Sequence, residues 1–278
     1  METQITTLIE NTGGEHKSLS TQHGVSFFIR HRDSAVLFDT GQDDEFISNA
    51  EILNINLDDA QHVVLSHGHY DHTNGFPYFV EQKGTDFTLW THPDLFTPKY
   101  ATDGGSAVTY LGASFDKDWL LAHNVTHTPV VRRVTEIAPE VFAVTDFEKH
   151  NDFEVENKRF VIPDSHSGWK VDDFHDEVAV VVRTSGGLVV VVGCSHPGIM
   201  NMLSTIRSEF EDPVLAVLGG THLVEAHGKR LDAALAFLTE KEIKVLGLNH
   251  CTGGEAMDML DERSDRFYRN STGTTLVV

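Results

Sequence analysis

The chain has 278 residues, enough for one large domain or two small ones, and at that length roughly three quarters of the unfolded surface can be buried. Its 42 acidic and 21 basic side chains give a net charge of −21, a field that repels polyanions and excludes a general nucleic-acid binder. Two cysteines exclude a disulfide-built secreted scaffold, and no apolar run reaches the length of about 18 residues that would mark a membrane span. Met1-Glu2-Thr3-Gln4-Ile5 lacks the charged-then-apolar pattern of a secretory leader, so the sequence reads as cytoplasmic.

Along the chain, strand and helix signals alternate. Val25 to Ile29 and Ala35 to Phe38 predict two strands joined as a hairpin near Arg32-Asp33-Ser34. Asp43 to Leu53 carries Phe46, Ile47 and Ala50 at helical spacing, and His62 to Leu65 is a short apolar run that predicts a buried strand. The stretch from His92 to Arg133 has weaker periodicity, with Pro98, Gly104-Gly105 and Pro129. It is expected to be an excursion of loops and short helices, either a lid or a solvated insertion. Val178 to Val182 and Leu188 to Val192 are near-continuous β-branched runs, which predicts strands covered on both faces. Ile199, Leu203, Ile206 and Phe210 form a helical stripe, with Pro197 near its start. Val214 to Leu218 (strand), Leu231 to Leu238 (helix) and Val245 to Leu248 (strand) complete a pattern that predicts a single α/β domain over 1–278. Two packed sheets with helices outside make it a four-layer αββα sandwich.

The 17 histidines are the unusual count. His67-Gly68-His69-Tyr70-Asp71-His72 follows directly on the strand His62 to Leu65. Residues two apart in an extended segment point the same way, so His67 and His69 can share one ion, while Asp71 and His72 can face a second. Neutral imidazoles with a carboxylate suit zinc, iron, manganese or cobalt better than calcium or magnesium. Three later strands each deliver a histidine just past the C-terminal end, in Cys194-Ser195-His196-Pro197, Thr221-His222-Leu223 and Asn249-His250-Cys251. His196 and His250 are expected to be ligands. His222 is open between ligand, supporting contact and substrate contact. His23, His62, His92, His123, His127, His150, His166, His175 and His227 read as surface or structural residues.

His67 to His72 resembles the His-x-His-x-Asp-His signature of the metallo-β-lactamase superfamily, and Asp39-Thr40-Gly41 resembles its early aspartate motif. A closer resemblance is to the dihydropterin-ribofuranosylaminobenzene phosphate synthase-like branch of metal-dependent hydrolases. It rests on His23-Gly24-Val25-Ser26-Phe27, Leu65 to Thr73, Gly193 to Ile199, Gly219 to Leu223 and His250-Cys251-Thr252-Gly253. The resemblance implies the αββα fold and a dinuclear centre. His67, His69 and His196 would hold one ion, and Asp71, His72 and His250 the other. Asp39, Glu177, Cys194 and Cys251 would support these ligands.

This sequence departs from the family in reading Gly193-Cys194 where many members carry a Gly-Asp whose aspartate bridges the metals. His175-Asp176-Glu177 also stands where a Gly-His motif is usual. These departures leave His196 either as the third ligand of the first ion or in the bridging region. Cys194 and Cys251 read as small buried thiols beside the metals, with a thiolate ligand at Cys194 or a disulfide as the alternatives.

The centre implied is two divalent transition-metal ions, zinc foremost, with iron or manganese as alternatives. Such an ion lowers the pKa of bound water from about 15.7 towards about 7, which suits hydrolysis of an ester, lactone or phosphoester. Asp71 would orient the nucleophile, and His222 would stabilise negative charge or protonate a leaving group. The expected partner is a small molecule, possibly phosphorylated or pterin-like, with no nucleic acid or membrane and an undetermined oligomeric state. Alternatives are a transferase condensing a dihydropterin diphosphate with an aminobenzene ribofuranosyl phosphate, a di-iron redox protein, and a non-catalytic sensor.

Overall fold

The computed structural model describes residues 2–104 and 108–278, so Gly105 of the Gly104-Gly105 pair lies outside the described residues. Two seven-stranded sheets face each other. The first runs, in spatial order, Thr275–Val277, Thr3–Ile9, Ser26–His31, Ser34–Phe38, His62–Val64, Thr88–Thr91 and Thr126–Pro129. The second runs Phe267–Arg269, Val245–Leu248, Val214–Gly219, Gly187–Val192, Ala179–Thr184, Val141–Val144 and Val134–Ala138. Each sheet is antiparallel at one end and parallel at the other. The parallel halves are Ser34–Phe38 through Thr126–Pro129 in the first sheet and Gly187–Val192 through Phe267–Arg269 in the second.

The period-2 alternation of the strands assigns each side chain to a layer. Phe27, Ile29, Val36 and Phe38 meet Val180, Val182, Val189 and Val191 between the sheets. Phe28, Ala35 and Leu37 point the other way, onto Phe46, Ile47 and Phe79 of the helices Glu45–Ile52 and Phe76–Lys83. Val181, Leu188 and Val190 likewise pack under Ile199, Leu203 and Ile206 of the helix Ile199–Glu209, with Leu235 and Leu260 from Lys229–Leu238 and Gly254–Arg263. Both faces of the valine-rich strands are covered, and the αββα sandwich is the fold. Pro197 precedes the helix Ile199–Glu209, whose N-cap is Gly198.

The segment 92–133 corrects the expectation of loops and short helices. Thr126–Pro129 is a strand of the first sheet, paired in parallel with Thr88–Thr91. Tyr100–Thr102 and Val108–Tyr110 join Phe160–Asp164 and Gly168–Val171 in a third, four-stranded antiparallel sheet. An isolated bridge between His69 and Gly112 sets this segment against the histidine cluster. Among the described residues no helix is long and apolar enough to cross a membrane.

Phe38 is fully buried between the sheets, at the end of the strand that leads into Asp39. Truncating Phe38→Ala should cost about 3–5 kcal/mol of stability, read from the shift in a urea unfolding midpoint.

Candidate metal centre

The strand His62–Val64 lies between two parallel neighbours and leads straight into the cluster. The chain bends at His67 and Gly68 and still brings His67 and His69 together, with ring centroids 4.8 Å apart. His196 joins them from the second sheet, at 4.8 Å from His67 and 4.9 Å from His69. One ligand atom from each of the three lies within 4.8 Å of the others. The Nε2 atoms of all three are buried without a hydrogen-bond partner. Burial, reinforced by repulsion from neighbouring groups, holds all three rings well below the usual imidazole range, so each is neutral and offers a lone pair. An orphaned nitrogen in a dry site is costly unless something takes its lone pair, and three converging ones fit a transition-metal ion.

Asp71 and His72 ride on the short helix Tyr70–Thr73, which starts as soon as His69 has left the strand direction. Asp71 Oδ2 lies 3.3 Å from His250 Nε2, 3.2 Å from His23 Nε2 and 3.7 Å from His72 Nε2. Burial opposes ionisation of Asp71, but the charge on His72 and the hydrogen bond from His23 hold its carboxyl well below the usual range. Cys194 brings Sγ to 3.2 Å from His72 Nε2, and with ligand atoms of His67 and His72 it forms a further group within 4.8 Å. The thiol therefore lies near both histidine sets, at the position where the family resemblance expects a bridging carboxylate, and His196 groups with His67 and His69. Cys194 and Cys251 are both free, buried thiols, and burial pushes the Cys194 thiol well up. Cys251 Sγ accepts the backbone N–H of His222 at 3.3 Å.

The surrounding contacts fix the rings. Asp39 Oδ1 accepts the backbone N–H of Ser66 at 2.7 Å. Its Oδ2 accepts the Ser66 hydroxyl at 2.7 Å and lies 2.6 Å from His72 Nδ1. With its hydrogen committed to Asp39, Ser66 Oγ receives Nδ1–H of His67 at 2.9 Å. Both rings are thus protonated on Nδ1 and turn Nε2 inward. Burial works against charge on His72, but Asp39 and Asp71 raise its pKa to about 9 before any ion binds. Glu177 accepts the backbone N–H groups of Ser195 (3.4 Å) and His196 (3.3 Å), which shapes the turn presenting Cys194 and His196. Burial, with Asp176 beside it, raises Glu177 to about 8.

Gly193 sits so close to Ser66 that a Cβ there would come within 2.3 Å of its Oγ, so only glycine lets the two strand ends approach. Gly24 is equally constrained: φ is +136° and a Cβ would meet the Asp71 carbonyl oxygen at 2.4 Å.

A buried cation braces the wall. Lys99 Nζ donates to Asp172 Oδ2 at 2.7 Å and Asp176 Oδ1 at 2.9 Å, while Asp176 Oδ2 accepts the backbone N–H of Gly68, between His67 and His69, at 2.8 Å. Lys99 Nζ also lies 4.6 Å over Phe174, whose ring stacks on His196 with centroids 3.7 Å apart. His222 stands beside His196, with centroids 4.4 Å apart and neither of its own nitrogens hydrogen-bonded. Asp39, Ser195, His222 and His250, each just past a strand end, hold left-handed φ values of 58°, 59°, 47° and 51°. Such strain collects where surrounding structure forces side chains to converge.

A cavity of about 400 Å³ is lined by His23, Tyr70, Asp71, Phe160, His222 and His250, among others. A second, of about 200 Å³, is also lined by His196 and His222 and reaches Asn201 and Arg230.

The structure therefore brings together His67, His69, Asp71, His72, His196 and His250, with Asp39, Glu177, Cys194, Cys251 and His222 around them. His62, His123, His127, His150 and His166 make their contacts elsewhere, to Trp90, Trp119, Thr91, Thr205 and Asp164. His92 forms a separate group with Asp94 and His175. The sequence places His23 among the surface or structural residues; its ring is half exposed and also reaches Asp71. The His23-Gly24 pair was the only local signal, and Gly24 is there because Asp71 is.

A model of the metallo-β-lactamase superfamily matches residues 20–199. The chain belongs to the metallo-β-lactamase superfamily. It is 30% identical to the 7,8-dihydropterin-6-methyl-4-(β-D-ribofuranosyl)-aminobenzene-5′-phosphate synthase of Methanocaldococcus jannaschii, over 97% of this chain and 95% of that protein. An uncharacterized protein of the same organism is 26% identical, over 94% and 95% respectively. A solved structure described as Tm1679, a metal-dependent hydrolase of the β-lactamase superfamily, matches with a TM-score of 0.84 at 30% identity, covering 99% of this chain and 98% of that one. This superfamily is metal-dependent, and membership with such relatives supports an enzyme acting on small molecules.

Asp39 touches no ion position itself yet fixes His72 and, through Ser66, His67. Asp39→Asn should keep the fold by circular dichroism and weaken zinc binding about 10–100-fold in a chelator competition.

Proposed function

We propose that the chain is a metal-dependent hydrolase that cleaves an ester, lactone or phosphoester of a small, possibly phosphorylated or pterin-like metabolite. The observation that carries this reading is the convergence of buried, unpartnered imidazole nitrogens with one carboxylate beneath a cavity of about 400 Å³. His67, His69 and His196 would hold one divalent ion, and Asp71, His72 and His250 a second. Zinc is the first choice for neutral imidazole donors, with iron or manganese as alternatives. When bound, the ions supply Lewis acidity and lower the pKa of water from about 15.7 towards about 7.

The remaining chemistry belongs to the chain. Asp71, ionised and shared between the histidines, accepts a hydrogen bond and orients the nucleophile towards the cavity. His222 lines both cavities with two uncommitted nitrogens, which suits it to carry a proton to the leaving group or to steady developing negative charge. Arg159 at the rim is paired with Glu225 at 2.7 Å, so the cavity wall that includes Phe160 and Leu111 offers apolar contact more than free positive charge. Cys194 and Cys251 close the floor as buried thiols.

A second reading is transfer rather than hydrolysis, in which a dihydropterin diphosphate loses its diphosphate to an aminobenzene ribofuranosyl phosphate. It is favoured by the 30% identity to the M. jannaschii synthase over 97% of the chain.

The purified chain should take up one to two transition-metal ions, and His67→Ala and His196→Ala should each lower metal content and abolish turnover of a generic phosphodiester or lactone. Full activity in either variant would remove the ligand assignment. Incubating the enzyme with a dihydropterin diphosphate, with and without the acceptor, separates the two reactions. Loss of diphosphate without acceptor marks hydrolysis; an adduct formed only with acceptor marks transfer.

A further inference from the structure

Asn11 follows the strand Thr3–Ile9 and stands at the rim of the larger cavity. Its side chain is exposed, but the backbone around it is pinned. Glu10 N–H donates to Thr272 Oγ1 at 2.9 Å, Gln22 N–H to Glu10 O at 3.1 Å, and Thr272 N–H to Thr12 O at 3.0 Å. Held in this way, the amide makes three contacts. Oδ1 accepts the backbone N–H of Gly24 at 3.3 Å. A backbone N–H can only donate, so the atom it meets is the amide oxygen. The same Oδ1 lies 2.9 Å from Nδ1 of His250. Nδ2 lies 3.4 Å from Nδ1 of His23.

An amide oxygen only accepts and an amide nitrogen only donates, so these contacts give the two rings opposite forms. Neutral His250 must carry its proton on Nδ1, which leaves Nε2 bare, 3.3 Å from Asp71 Oδ2 and without a hydrogen-bond partner. Neutral His23 must accept at Nδ1, which places its proton on Nε2, 3.2 Å from the same carboxylate oxygen. By distance alone His23, Asp71 and His250 form one set of three metal donors within 4.8 Å. The tautomers divide that set.

We infer that Asn11 is a positioning residue that sorts the two histidines flanking Asp71, making His250 an ion ligand through Nε2 and His23 a hydrogen-bond donor to Asp71 rather than a ligand. This rests on the reading above that Asp71 and His250 hold an ion. An N–H directed at one lone pair of Asp71 Oδ2 leaves the carboxylate's other lone pairs for that ion and fixes the angle at which they are presented.

Long-range proton–nitrogen NMR spectra of the histidine-labelled full chain, taken at alkaline pH before and after zinc loading, test the assignment. Expected are Nδ1–H on His250 and Nε2–H on His23 in the unloaded chain, with zinc shifting Nε2 of His250 and leaving both His23 nitrogens in place. Asn11→Leu should scramble both tautomers and weaken binding of the second zinc about 10–100-fold. Asn11→Asp keeps an acceptor for Gly24 and His250 and loses the donor. It should hold His250 in its wild-type form and retain zinc, while moving the proton of His23 to Nδ1. The inference is overturned by Nε2–H on His250 in the unloaded chain, by a ligand-like shift of His23 on zinc loading, or by Asn11→Leu binding the second zinc as tightly as wild type. If Asn11→Leu does not fold, the wild-type and Asn11→Asp spectra decide. If wild type takes up no zinc, the functional reading fails, while the unloaded spectra still test the tautomers Asn11 imposes.

Discussion

Imidazole nitrogens in this protein are driven into a dry interior with nothing to bond to. Desolvating a polar group without a partner costs roughly 1–3 kcal/mol, and the Nε2 atoms of His67, His69, His196 and His250 share one small region in that state. Rings that turn a lone pair inward cannot satisfy each other. Only an electron-pair acceptor at the point of convergence relieves them together. The fold accepts left-handed backbone at Asp39, Ser195, His222 and His250 in order to bring these side chains together.

The sandwich makes this arrangement possible. Each sheet ends its parallel half with strands whose C-terminal ends open towards the same edge, and the loops there carry the donors. Asp39 and the His67 to His72 cluster come from the first sheet, and Cys194, His196, His222 and His250 from the second. The valines between the sheets set how far apart the two donor sets stand, so the inter-sheet core and the centre are parts of one mechanical unit. Around that unit the Asp39–Ser66 pair, Glu177, Lys99 with its two aspartates, and Asn11 each fix a ring or a turn.

Much of this was legible in the sequence because it is local. His-x-His-x-Asp-His occupies six consecutive residues, and the three later histidines each follow a recognisable apolar strand. The near-continuous valine runs announced strands covered on both faces, hence the layers. The parts not legible include contacts between distant partners and strands without an apolar pattern. Lys99 meets its carboxylates 73 and 77 residues later, and Asn11 meets His250 at a separation of 239, so neither leaves a trace in spacing. Thr126–Pro129 is a half-exposed edge strand ending in proline, and Gly168–Val171 is exposed throughout. With no buried face to pattern them, these elements do not show the alternation that betrays a core strand.

Anomalous diffraction from a crystal of the zinc-loaded chain would locate the ions. One anomalous peak is expected to be enclosed by His67, His69 and His196 and another by Asp71, His72 and His250. A fully loaded crystal with no peak among these rings, or with zinc bound only at His92, Asp94 and His175, would contradict this placement.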